Sequence, residues 1–146
     1  MSSVYDLFDD SARQLLQEAI AVAELNTSGE IRLHIDETCK EDPMDRAAFL
    51  FEELEMHKTA LRNGVLIYFA LKDRKFAILG DSGINNAVPA HFWESTRDAM
   101  LENFKNGKFI EGLQLGILSA GEQLKAFFPY ESNDTNELSD EITFGH

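Results

Sequence analysis

Two groups of oxygen-bearing side chains in this chain have the types that a hard cation requires. Residues 72–84, KDRKFAILGDSGI, place Asp73 and Asp81 on either side of the apolar run FAIL. Calcium and magnesium take several oxygen ligands from carboxylates, amides and loop carbonyls. Glu30 in NTSGE, Asn63 in RNG and Asp81 in GDSG supply such oxygens, and Arg62 beside Asn63 could meet a phosphate or pair with Glu30. The second group is Asp42, Asp45 and Asp73, with Asp36, Glu37 and Glu41 nearby. Each group has an ordinary alternative: Asp81 capping the next turn, Asp45 at a helix start and Asp73 shaping a turn.

Hydrophobic periodicity shows which elements must position these residues. DDSARQLLQEAIAVAEL repeats apolar positions at helical spacing, with Asp9, Asp10 or Ser11 available to cap it and Gly29 beyond its end. EIRLHIDE alternates strictly, which predicts a strand near a sheet edge with Glu30, Arg32, His34 and Asp36 on a wet face. A helix is expected over 44–58 with Pro43 at its start. GVLIYFAL is apolar throughout, as a central strand covered on both faces would be. KFAILG follows after a short polar turn, and two helices, VPAHFWESTRDAMLENF and KFIEGLQLGILSAGEQLKAFF, complete the pattern.

The order α-β-α-β-β-α-α implies a parallel pair with a right-handed crossover, then an antiparallel hairpin. The expected fold is α/β, a three-layer α/β/α sandwich around a small mixed sheet. In that topology Asp73 and Asp81 lie at opposite ends of one strand, on the order of 20 Å apart for about six residues. Glu30, Asn63 and Asp81 therefore gather at one end of the sheet, and Asp42, Asp45 and Asp73 at the other.

The whole chain of 146 residues carries −13, and five of its acids lie in the tail 131–146, which has no Lys or Arg. The body thus keeps −8, which disfavours nucleic acid and suits cations or basic partners. The expected division is a domain over 1–130 and an acidic, flexible tail over 131–146. Leu138, Ile142 and Phe144 interrupt that tail, so docking on the body, addition to a sheet edge and recognition of a protein partner, a membrane-bound one included, remain open. One cysteine, no secretory signal and no apolar run longer than seven residues point to a cytoplasmic protein without direct membrane insertion.

Familiar phosphatase nucleophiles are not evident. Cys39 and Arg46 have six residues between them, KEDPMD, where the cysteine phosphatase loop needs five. Those residues are acidic and would raise a thiol pKa. No GxxxxGK[ST] phosphate loop occurs, and the histidines show no ligand spacing. Hydrolysis of a phosphate ester would have to be metal-assisted.

NTSGEIRLHI, DRAAFLF, RNGVLIYFALKDRKFAILGDSGI and the helix with EGLQLGI, in that order over 11–129, resemble the TPM-domain family. The resemblance implies an α/β/α sandwich, binding of a divalent cation (Ca2+ or Mg2+) through acidic residues, and phosphatase activity, expected here to be weak and metal-assisted, the plant members being thylakoid proteins with acid phosphatase activity. Carried over position by position, it picks out Glu30, Asn63, Gly64, Asp73, Arg74, Gly80 and Gly83. The chain departs from the family pattern at Asp81-Ser82, where many members have an aromatic residue. It also lacks an aspartate around Val88-Pro89, so either Asp81 substitutes for that carboxylate or the ion site is altered. The expectation is a divalent-cation-binding domain with possible metal-dependent phosphatase activity; the alternative is a non-enzymatic interaction module acting through its acidic surface and tail.

Overall fold

The computed structural model describes residues 4–130 and 141–145. After a short turn, α1 (Val4–Leu7), the helix α2 (Asp10–Glu24) starts where the Asp9 carboxylate accepts the Ala12 N–H at 2.9 Å. β1 (Glu30–Asp36), α3 (Pro43–Glu53), β2 (Gly64–Ala70) and β3 (Lys75–Gly80) follow in the expected order. Asp42 caps α3 through Met44 N–H at 2.8 Å, with Pro43 in the first turn, where its missing N–H costs nothing. A short α4 (Ser82–Ala87), then α5 (Glu94–Lys105) and α6 (Phe109–Leu124) lead to a last strand, β4 (Thr143–Gly145).

The sheet order is β3-β2-β1-β4. β1 and β2 run parallel, with Glu30 opposite Gly64 and Asp36 opposite Ala70; β3 returns antiparallel to β2. This is the expected α/β mixed sheet. β2 is buried at all seven positions, in keeping with its unbroken apolar run. Ile31, Leu33 and Ile35 pack with Val65, Ile67 and Phe69 into one core with α2, α5 and α6. Leu66, Tyr68 and Ala70 join α3 residues Ala47, Leu50 and Phe51 on the other face.

β1 corrects the sequence reading twice. It lies inside the sheet, because β4 pairs parallel to it through His34, Ile35 and Asp36. Its polar face is also not wet: Glu30 and His34 are 4% exposed and Asp36 is fully buried. Alternation of polar and apolar residues reports the side-chain period, but not what covers the polar side. Part of the tail takes one of the alternatives left open for it. The segment 143–145 adds to the sheet edge, with Phe144 against Tyr5 and Phe8 at ring separations of 5.4 and 6.3 Å. The rest of the acidic tail, 131–140 and 146, lies outside the described residues.

A charged network replaces apolar packing under β1. The Asp36 carboxylate accepts hydrogen bonds from Tyr68 Oη at 2.7 Å and Arg46 Nε at 2.9 Å, and its other oxygen meets His34 Nε2 at 2.8 Å. His34 Nδ1 is 2.6 Å from Thr143 Oγ1, so the network continues into β4. Burial would push the Asp36 carboxyl up, but bonds from His34, Arg46 and Tyr68 outweigh it and hold it at about 2. The same burial and the bond to Asp36 push the Tyr68 hydroxyl up.

Removing this acceptor leaves buried donors without a partner, which is expensive. Asp36→Asn should lower unfolding free energy in urea by about 2–4 kcal/mol. The folded carboxyl titrates below the roughly 3.9 of an unfolded aspartate. Its contribution is therefore complete above about pH 4 and fades as pH falls toward about 2. The gap between parent and variant stability should close over that window, and a gap that stays constant down to low pH would contradict the assignment.

Candidate functional site

Parallel β1 and β2 start at the same end of the sheet, where β3 finishes. Glu30 faces Gly64 in the register, and Gly64 O accepts the Asp81 N–H at 2.9 Å. Glu30 and Asp81 thus flank the start of β2, two strand spacings or about 10 Å apart along the backbone. Asn63, 2% exposed, fills the gap: its carbonyl accepts the Glu30 N–H at 3.2 Å and its amide donates to Ser28 O at 3.2 Å. The three residues singled out from the sequence are brought together.

The loop before β2 is clamped to the start of α4. Gly83 N–H donates to Arg62 O at 2.9 Å, and a Cβ on Gly83 would overlap the Leu61 and Arg62 carbonyl oxygens. Glycine is required there by close approach, not by its φ. Arg62 itself sits at φ 51°, a left-handed conformation that costs a non-glycine residue on the order of 1 kcal/mol. That backbone turns its side chain onto Asp81: Nε and Nη2 each lie 2.8 Å from a carboxylate oxygen. Asp81 also accepts the Ser82 N–H at 2.7 Å as the cap of α4. Arg62 therefore pairs with Asp81 rather than Glu30, which raises the guanidinium pKa.

An open cavity of about 480 Å3 lies beside this pair, with Phe51 and Leu79 as its apolar wall and Arg62, Asp81, Ser82 and Asn85 at its polar end. Arg62 is half exposed toward solvent, whereas Asp81 is 5% exposed. Glu24, a further carboxylate at this end, accepts the Ile31 N–H at 3.1 Å. It went unnoticed in the sequence, although an acid in the last turn of a helix opposes the helix dipole and is a signal that could have found it.

A divalent ion does not fit this arrangement as it stands. Both Asp81 oxygens are occupied, and no three His, Cys, Asp or Glu side chains among the described residues converge on one point. The opposite end is no better prepared. Asp42 is engaged as the α3 cap, Asp45 lies exposed in that helix's first turn, and Asp73 accepts the Cys39 N–H and lies 3.5 Å from Lys40 Nζ. The Cys39 N–H and then Lys40 hold the Asp73 carboxyl below the usual range. Asp73 and Asp81 stand at opposite ends of β3, as the hairpin requires. Cys39 is buried with its thiol 3.2 Å from Glu41 O. No helix among the described residues is long and apolar enough to cross a membrane.

Comparison with known proteins agrees with this fold. The BA42 protein of the psychrophilic bacterium Bizionia argentinensis, solved by NMR, is 43% identical over 99% of this chain and 100% of its own, with a TM-score of 0.92. The N-terminal domain of a P. gingivalis protein shares the fold at 16% identity and TM-score 0.70, over 90% of this chain and 86% of that one. The N-terminal domain of the cg2496 protein of Corynebacterium glutamicum does so at 12% and 0.60, over 94% and 81%. No curated protein matches in sequence. The TPM domain profile matches residues 3–123, and with most of its length covered the chain belongs to the TPM domain family.

Proposed function

We propose that the chain binds a divalent cation, Ca2+ or Mg2+, at the Glu30, Asn63 and Asp81 end of the sheet, in competition with its own Arg62. The observation that carries this reading is the pairing of a buried Asp81 carboxylate with a half-exposed guanidinium at 2.8 Å. A cation already occupies the carboxylate, and it is tethered on the side that solvent reaches. A net charge of −13 draws further cations to the surface. Weak phosphomonoester hydrolysis is the finer form of this reading, with Arg62 as the phosphate contact.

Competition has a sign that can be measured. A pair whose guanidinium is half exposed is screened by solvent and worth on the order of 1 kcal/mol, so Arg62→Ala should tighten calcium binding by up to about fivefold. Asp81→Asn should weaken it, and amide shifts in parent protein should centre on Glu30, Asn63 and Asp81. Calcium affinities by NMR titration that are the same in parent, Arg62→Ala and Asp81→Asn would sink the reading. Turnover of p-nitrophenyl phosphate that needs metal and disappears in Glu30→Ala, with the fold intact, would support the hydrolytic form.

A second reading, an interaction module, rests on a different observation: β4 supplies a strand to β1 in cis, the geometry by which extended peptides are recognised. Gly145 lies against the buried network so closely that a Cβ would come 2.5 Å from Asp36 Oδ1, which makes the seat selective for glycine. Deleting 131–146 should cost about 1–3 kcal/mol of stability through lost Phe144 burial and strand pairing. A peptide spanning 141–146 should then bind the shortened chain and restore thermal stability. A truncation with unchanged Tm would remove the basis for this reading.

A further inference from the structure

At the end of the sheet away from Asp81, two lysine-bearing connections meet over a group of phenylalanines. KDRK joins β2 to β3, and FKNGKF joins α5 to α6. Between them a partly enclosed cavity of about 110 Å3 is walled by Phe69 and Phe76 of the sheet, Leu101 and Phe104 of α5 and Phe109 of α6. The rings hold one another in place, Phe69 against Phe104 at 5.0 Å, Phe76 against Phe104 at 5.1 Å and Phe69 against Phe109 at 5.5 Å. An enclosed apolar cavity of roughly 150 Å3 lined by such residues stays dry and takes up benzene; this slot is smaller but open on one side, and so admits at most a single ring or a branched alkyl group.

The mouth of the slot is cationic. Arg74 and Lys105 line it, and neither takes part in an ion pair among the described residues, in a chain with twice as many acids as bases. Arg74 also sits at φ 52°, where glycine or asparagine is favoured, so a long charged side chain is held at a backbone position that does not suit it. A second open cavity adjoins the slot through Arg74 and Phe109, and Asp6 lies on its wall. The site for negative charge is thus the Arg74 and Lys105 side. Lys72 is 3.5 Å from Glu37.

We propose that this slot binds a small anion with an apolar, ring-sized body, an aryl or branched-alkyl carboxylate. The body enters among the four phenylalanines, and the carboxylate stays at the mouth against Arg74 and Lys105. Charge complementarity selects anions over neutral or cationic molecules of the same shape, and ring burial supplies the affinity. The site is distinct from the Glu30 and Asp81 end and does not depend on cation binding there.

The test is an amide NMR titration with three probes that share one phenylpropyl skeleton: 3-phenylpropionate, 3-phenylpropan-1-ol and 3-phenylpropylamine. The first should give saturable shifts at Phe69, Phe76, Phe104 and Phe109 with a Kd on the order of 1 mM. The alcohol should bind about three- to tenfold more weakly, and the amine not at all. Arg74→Gly suits the backbone at that position and keeps the fold; combined with Lys105→Gln, it should erase the preference for the acid over the alcohol. Equal binding of the three probes, shifts that never saturate, or an undiminished preference in the double variant would each overturn the proposal.

Discussion

The Asp36 carboxylate ties this molecule together. A fully buried charge survives only when donors surround it, and here they come from three places: His34 on the same strand, Tyr68 on β2 and Arg46 on α3. The requirement fixes more than one side chain. Tyr68 must stand directly beside His34 in the parallel register, and their rings stack at 6.1 Å. α3 must approach so that Arg46 reaches β1 from above β2. A one-residue slip of β1 would turn Asp36 toward the opposite face and strand both the acid and its donors. The network thus specifies register where apolar packing alone would tolerate alternatives.

Through His34 the same constraint reaches the end of the chain. Thr143 meets the imidazole, Gly145 fits beside the carboxylate because it has no Cβ, and Phe144 turns to the other face among Tyr5 and Phe8. Successive residues of a strand point to opposite faces, so three residues are enough to engage both. The two faces of the sheet are unequal: three helices cover one, while α3 covers mainly β2 and β3 on the other. Polar residues of β1 lie on that thinly covered side, and β4 helps to close it.

The two candidate sites lie at opposite ends of the strand axis. At one end Asp81 caps α4, binds Arg62 and borders a polar cavity; at the other, Arg74 and Lys105 stand over an aromatic slot. β3 separates the two, so the buried Asp81 carboxylate and the Arg74 and Lys105 cations stand at opposite ends of one strand. Both arginines sit in left-handed turns, and each is aimed at its site by a backbone conformation that its residue type disfavours.

Much of this was legible in the residues alone. The unbroken apolar run 64–70 announced a covered strand, the spacing of Leu16, Ala19, Ile20 and Ala23 a helix face, and Asp42-Pro43 the start of α3. Chain order and the short turn then sent Asp73 and Asp81 to opposite ends of β3, and gathered Glu30, Asn63 and Asp81 at one of them. Local periodicity carries such information because it depends on neighbours along the chain. What covers a strand's polar face, and which carboxylate an arginine chooses, depend on residues far apart in sequence. His34 with Thr143, Asp36 with Arg46 and Tyr68, and Arg62 with Asp81 were decided by packing. Burial makes each polar group find a donor or acceptor, and only the assembled fold determines which one is within reach.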